Sequence, residues 1–301
     1  MINGIINVYK EKGYTSHDVV AKMRGILKMK KIGHTGTLDP DAEGVLPVCT
    51  GKATKLVDMI TDKDKTYEAV CKLGIITDTQ DITGTVLATA DVTAEFPQIE
   101  EVIKSYVGEY MQMPPMYSAI KINGKRLYEL ARQGIEIERN RRKVMIKAIR
   151  ILDYNKEEHE IRMSVDCGKG TYIRTLCNDI GETLGCGATM KSLTRTAVGN
   201  FHLSEALKLS EIEKLVSEDQ LEAYVMPVDK IFECYKKCTV EREFHKLIYN
   251  GNAISNANLV EPVKEITTDW VRVYDADDIF IGIYQYNAGD ALFKPVKMFL
   301  Q

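Results

Sequence analysis

Gly33-His-Thr-Gly-Thr-Leu-Asp-Pro-Asp-Ala-Glu-Gly-Val-Leu-Pro47 is the stretch on which the reading of this chain turns. Its glycines and prolines predict a loop, with Asp39 held between a glycine turn and Pro40 and preceded by His34. Taken alone, Asp39 reads as a turn residue. Three chemical readings of the region fail on spacing or residue type. Gly44…Gly51-Lys52-Ala53 imitates a phosphate-binding loop, but six residues separate its glycines instead of four, and Ala53 stands where a magnesium-binding hydroxyl is required. Asp39-Pro-Asp41-Ala-Glu43-Gly44 imitates the start of a calcium loop, yet Pro40 holds its second position and Thr50 the place of the bidentate Glu. Paired carboxylates could suggest glycoside hydrolysis, but no aromatic sugar platform accompanies them.

Outward from this loop the pattern is mixed. Ile2–Val8 reads as a buried strand, and Ser16 is expected to cap a helix reaching about Lys30, with Val19, Val20, Met23, Ile26 and Leu27 on one face. Tyr67, Ala69, Cys71 and Leu73 alternate as the inner face of a half-buried strand. Pro97–Tyr110 predicts a helix, Met113-Pro-Pro-Met-Tyr-Ser118 a break, and Val144–Leu152 a strand. Gly168-Lys-Gly-Thr171 leads into a helix over 172–184 that Gly185 should end. The acidic region 204–233 reads as mostly helical, and short strands dominate from Thr239. Strands and helices do not alternate regularly, so the fold class is α+β with mainly antiparallel pairing rather than a doubly wound parallel sheet. At 301 residues two parts are expected, one large and one small.

The net charge of −3 hides segregation. Lys121–Arg150 carries ten basic residues against three acids, and Val19–Leu38 carries five against none. Ser204–Glu233 holds eight acids against three lysines. Basic clusters of this kind are either solvated faces or the footprint of a nucleic acid, and two of them favour the nucleic acid. Seven cysteines without a CxxC pair argue against a zinc ribbon and fit a reducing compartment. Cys234 and Cys238 could face each other on a helix, though two thiols alone make a poor metal site. No apolar run approaches the roughly 18–20 residues of a membrane span, and the amino terminus lacks an export signal. A cytoplasmic protein is expected.

The loop also fits a larger pattern. Together with Lys65-Thr-Tyr67, Gly74-Ile-Ile-Thr-Asp-Thr-Gln-Asp81, Met113-Pro-Pro-Met-Tyr-Ser-Ala119, Lys169-Gly-Thr-Tyr-Ile-Arg-Thr175, Leu184-Gly-Cys-Gly-Ala188 and Leu193-Thr-Arg-Thr196, it resembles the bacterial tRNA pseudouridine-55 synthase family. These motifs stand in order from about residue 3 to 230. The resemblance implies a pseudouridine synthase fold with a large mixed sheet in a catalytic domain over 1–235. It further implies a basic thumb-like insertion near 112–143 and a small PUA-like β domain over 239–301, whose deletion should weaken tRNA binding. The implied reaction moves the glycosidic bond of one T-loop uridine from N1 to C5, with tRNA as partner and neither metal nor cofactor. A monomer is expected.

By position, the resemblance makes Asp39 the catalytic aspartate, acting on ribose or on base, and Arg174 its partner. Tyr67 would stack on the extruded base, Tyr172 line the pocket and Leu193 form an apolar wall. His34 would fill the space left by the flipped uridine, while Lys10, Lys55 and the thumb would hold the RNA backbone. The physics is compatible. Flipping a base costs a few kcal/mol, and stacking on an aromatic ring returns about 1–3 kcal/mol. An arginine near a helix N-terminus opposes the dipole, so a carboxylate partner suits it, and that arginine should keep Asp39 ionised. The first strand departs from the family pattern. Asn7-Val-Tyr-Lys-Glu-Lys-Gly13 stands where an acidic residue followed by Lys-Pro-x-Gly is usual. The competing reading is a tRNA-binding or RNA-folding module with little catalysis. The joint presence of Asp39, Tyr67 and Arg174 argues against it.

Overall fold

The computed structural model describes residues 2–122, 124–265 and 269–300. The first half runs β1 (Gly4–Lys10), α1 (Ser16–Leu27), β2 (Ile32–His34), β3 (Glu43–Thr50), α2 (Val57–Thr61), β4 (Lys65–Leu73), β5 (Ile75–Thr77) and β6 (Val86–Thr89). It continues through α3 (Phe96–Ser105), β7 (Gly108–Gln112), β8 (Lys121–Ile122), β9 (Lys125–Arg126), α4 (Leu127–Ala131) and β10 (Arg142–Asn155). Next come β11 (Glu160–Cys167), α5 (Ile173–Leu184), β12 (Ala188–Val198), β13 (Phe201–His202), α6 (Leu209–Ser217) and β14 (Val225–Met226). The last part holds β15 (Lys236–Thr239), α7 (His245–Tyr249), β16 (Ile254–Ser255), β17 (Trp270–Tyr274), β18 (Phe280–Asn287) and β19 (Leu292–Met298).

A ten-stranded sheet in the order β14-β1-β3-β12-β4-β11-β10-β7, with β2 on β3 and β13 on β12, forms the body. Its pairs are antiparallel except β3 with β12, which run parallel where Thr194 faces Glu43 and Arg195 faces Gly44. That junction lets two antiparallel blocks meet beside the loop that carries Asp39. The α+β expectation holds. On β4 the alternation reads as expected, and Tyr67, Ala69, Cys71 and Leu73 lie in one core with Ile173, Leu176 and Ile180 of α5. A second core joins β1 and β3 to α1 and α6.

Several boundaries fall elsewhere than the sequence suggested. Helix α1 is capped by Thr15, one residue earlier, because its hydroxyl accepts from Asp18 N while the Asp18 carboxylate accepts from Thr15 N at 2.8 Å. It ends at Leu27, where Lys28 turns left-handed. The predicted helix 97–110 stops at Ser105; Gly108, with φ of 109°, turns the chain into β7, which pairs with Arg142–Ile146 of β10. In the acidic region only α6 and short 3-10 turns are helical. Cys234 is exposed ahead of β15 and Cys238 is buried within it, so the two do not share a helix. All seven cysteines are free. No helix among the described residues is long and apolar enough to cross a membrane.

The carboxyl-terminal strands form a five-stranded sheet, β15-β17-β18-β19-β16. It is not set apart from the body. Ile283 and Phe299 pack in one apolar cluster with Ile5, Val45, Val198 and Phe232.

Candidate active site

The Asp39 loop is pinned from both sides by groups that the sequence alone does not distinguish. Lys10, at the end of β1, is wholly buried and its ammonium donates to the carbonyls of Glu11, Pro40 and Ala42. Burial lowers its pKa to about 8. The expected role for Lys10 on the RNA backbone is therefore corrected: its charge faces loop carbonyls. Ser16 Oγ accepts from Leu38 N at 3.0 Å, Gly13 N donates to Pro40 O at 2.9 Å, and Thr35 ties back to Pro47 O. A loop held at so many points keeps its carboxylate in place without help from a ligand.

Across the cleft, α5 supplies Arg174. Tyr172 is the N-cap position, and Gln112 of β7 clamps its backbone, donating to Tyr172 O at 2.9 Å and accepting from Tyr172 N at 2.8 Å. Arg174 Nε meets Asp39 Oδ2 at 2.9 Å. Its other two nitrogens donate to Thr79 O and Tyr117 O, so every arm of the fork is fixed. The Asp39 side chain is 40% exposed, toward the cleft, and Arg174 only 8%. Burial under the surrounding protein raises the Asp39 pKa above the ordinary carboxylate value, with Arg174 opposing that rise and nearby Asp81 adding to it. The arginine therefore offsets the cost of burial only in part.

The cleft has a volume of about 270 Å³. Asp39 and Arg174 line it together with Tyr67, Tyr172 and Leu193. Five of the eight residues picked from the sequence thus converge. Tyr67 faces Arg195 directly across the β4–β12 pair. His34 lies outside the lining, half-buried on β2, its ring edge-on to His17 at 5.1 Å. Burial lowers its pKa. Lys55 is exposed on the turn after β3, where its ammonium donates to Met298 O at 2.7 Å and Lys297 donates back to Lys55 O, joining that turn to the end of β19.

Sequence reading missed four contributors. Arg195 and Lys65 are buried cations lining the cleft. Gln112 is the clamp on α5, and Gly44 lets β3 approach β12. The available signal for Arg195 was the i, i+2 spacing from Leu193 on one strand face. Among the described residues one group, His245, Asp275 and Asp277, is grouped closely enough to hold a metal. Its atoms are already engaged: His245 accepts from Ala276 N, Asp275 from Tyr249 and from the Asp277 and Ile279 amides, and Asp277 pairs with Arg242.

Residues 24–173 match the N-terminal domain of the TruB family of pseudouridylate synthases, and residues 174–233 match the C-terminal domain of tRNA pseudouridylate synthase B. The chain belongs to the TruB family. It is 58% identical to the tRNA pseudouridine synthase B of Lachnoclostridium phytofermentans, over 99% of this chain and 100% of that one. Against the Clostridium acetobutylicum protein of the same name the identity is 46%, covering 99% of each. Two solved structures share the fold at a TM-score of 0.71, each covering 99% of this chain and 85% of the other. One is an H/ACA RNP bound to a substrate RNA containing 2'-deoxyuridine, at 25% identity; the other is a Cbf5-Nop10-Gar1 complex, at 27%. The expected family and pseudouridine synthase fold are both found.

Proposed function

We propose that this chain isomerises uridine 55 in the T-loop of tRNA to pseudouridine. The observation that carries the reading is the Asp39–Arg174 pair at the floor of a cleft walled by Tyr67, Tyr172 and Leu193. In a folded T-loop the glycosidic bond is out of reach, so the uridine swings out and enters the cleft, where Tyr67 offers a rigid ring to stack on. Asp39 then assists cleavage of N1–C1′, adding to ribose or to base. The freed pyrimidine turns and re-joins through C5; the C5 proton leaves to solvent and N1 gains one. Atoms and electrons balance within one nucleotide, so the reaction calls for neither metal nor redox partner. The 121–143 excursion would offer exposed cations, Lys121, Lys125 and Arg132 among them, to the T-arm backbone, and the protein would act in the cytoplasm as a monomer.

The test uses tRNA transcript tritiated at uridine C5, incubated with protein and no added metal. One tritium released per tRNA by the wild type and none by Asp39→Ala is the expected result. Tight binding without release would favour the RNA-folding module instead.

A further inference from the structure

Arg195 is an unusual cation. Its side chain is 1% exposed, yet among the described residues no carboxylate lies within ion-pair distance of it. Its Nε donates to Val45 O at 2.7 Å and Tyr67 lies opposite it across the strand pair, but Nη2 is buried with no hydrogen-bond partner. A buried, unpaired guanidinium donor is costly, and folds retain such groups where something else completes them. The neighbouring cation, Lys65, differs in this respect: its ammonium is already engaged by the carbonyls of Thr61 and Lys63. Arg195 therefore holds the donor that is left over, and it lines the same cleft as Asp39 and Tyr67.

The backbone is arranged to put it there. Gly44 opposes Arg195 in the parallel junction, and a Cβ on Gly44 would stand 2.2 Å from Arg195 O. Only a residue without a side chain lets β3 come close enough for Val45 O to receive Nε. The guanidinium is thus aimed by the sheet itself.

Resting on the isomerase reading above, we infer that Arg195 donates through Nη2 to a carbonyl oxygen of the flipped uracil and stabilises negative charge there during the reaction. The chemistry asks for such a donor on either route. If Asp39 adds to ribose, the N1–C1′ electron pair departs with the pyrimidine, whose O2 and O4 share the charge. If Asp39 adds to C6, the displaced electron pair gathers on O4. On either route C5–C1′ forms, Asp39 leaves as a carboxylate, the C5 proton goes to solvent and N1 gains one, and the pyrimidine is neutral again. A preorganised donor in a water-poor cleft acts on charge that develops in the transition state more than on the neutral base. Arg195 would then act on the rate of the chemical step and little on binding.

The experiment compares wild type, Arg195→Lys and Arg195→Met in single-turnover tritium release at saturating tRNA, with tRNA affinity measured separately. Expected are a loss of about a hundredfold or more in Arg195→Met, affinity within about threefold of wild type, and recovery of about tenfold in Arg195→Lys. Equal rates in the Lys and Met variants, or a loss confined to affinity, would overturn the assignment. A second arm varies the substrate as well as the protein. Transcripts carrying 2-thiouridine or 4-thiouridine at the target replace one oxygen with a poor acceptor. The wild type should slow by about tenfold on one of them, and the Arg195 variants should lose most of that discrimination, as coupled groups do. Wild type indifferent to both, or variants discriminating as strongly as wild type, would refute the contact. Wild type that makes no pseudouridine on the unmodified transcript would instead remove the isomerase reading, and Arg195 with it.

Discussion

At the floor of the cleft a single carboxylate faces an arginine whose remaining nitrogens are spent on backbone carbonyls, and the surrounding protein raises its pKa although the side chain stays partly open to the cleft. That combination has a measurable signature in stability as well as in rate. Because the Asp39 pKa is raised in the folded state, the wild type is penalised as pH climbs from the ordinary carboxylate value of about 4 through the raised one. Asp39→Asn removes the penalty, while Arg174 keeps its bonds to Thr79 and Tyr117. The variant should lose turnover by more than about a thousandfold, about 4 kcal/mol of barrier, with tRNA affinity near wild type. Its stability advantage should grow with pH over that window and then level off. Denaturant titrations of both proteins across the window check this, and a flat or shrinking difference would contradict the burial argument. Asp39, Arg174 and Tyr67 were legible in the sequence because their motifs fix position. Lys10 was misread because a lysine's exposure depends on which carbonyls the fold brings to it, and no local pattern encodes that. Arg195 was passed over although its i, i+2 spacing from buried Leu193 places it on the inner face of the strand, because a charged residue is ordinarily read as solvent-facing.

Among the elements, the parallel contact between β3 and β12 is the most demanding. Gly44 has φ of 107° and no room for a side chain against Arg195. Gly44→Ala combines left-handed strain with overpacking, and each costs about 1–3 kcal/mol. It should lower the unfolding free energy measurably and slow turnover together, because Val45 O would move from Arg195. An alanine variant as stable and as fast as wild type would show that the strands have slack. Helix α5 was readable nearly to the residue, since Gly185 and an apolar stripe mark it plainly. The α3–β7 boundary was not, because Tyr106–Tyr110 keeps an apolar content that suits helix and strand alike, and only pairing with β10 decides between them.

On the scale of the whole molecule, the division expected near residues 235–239 does not mark a break in packing. The single tryptophan, Trp270, packs against Phe232 and Tyr235 where the two sheets meet. Thermal unfolding followed by Trp270 fluorescence should therefore coincide with the transition seen by far-ultraviolet circular dichroism; two separated midpoints would mean that the sheets unfold independently. Phe299→Ala should cost about 3–5 kcal/mol while leaving the chemical step intact, which thermal melts alongside tritium release would check. Deleting 239–301 should consequently disturb folding itself, and point substitutions on the exposed face of the small sheet are the cleaner probe of RNA binding. Charge along the sequence announced a nucleic-acid partner, but it could not announce this seam, because Ile283 and Phe299 find their partners nearly three hundred residues away.

That seam bears on how the protein is made. Phe299, in the same apolar cluster as Ile5, is translated nearly three hundred residues after it. At about 5–20 residues per second, the strand of Ile5 waits on the order of fifteen seconds or more for that partner. The nascent chain thus carries an open apolar face until Phe299 has emerged.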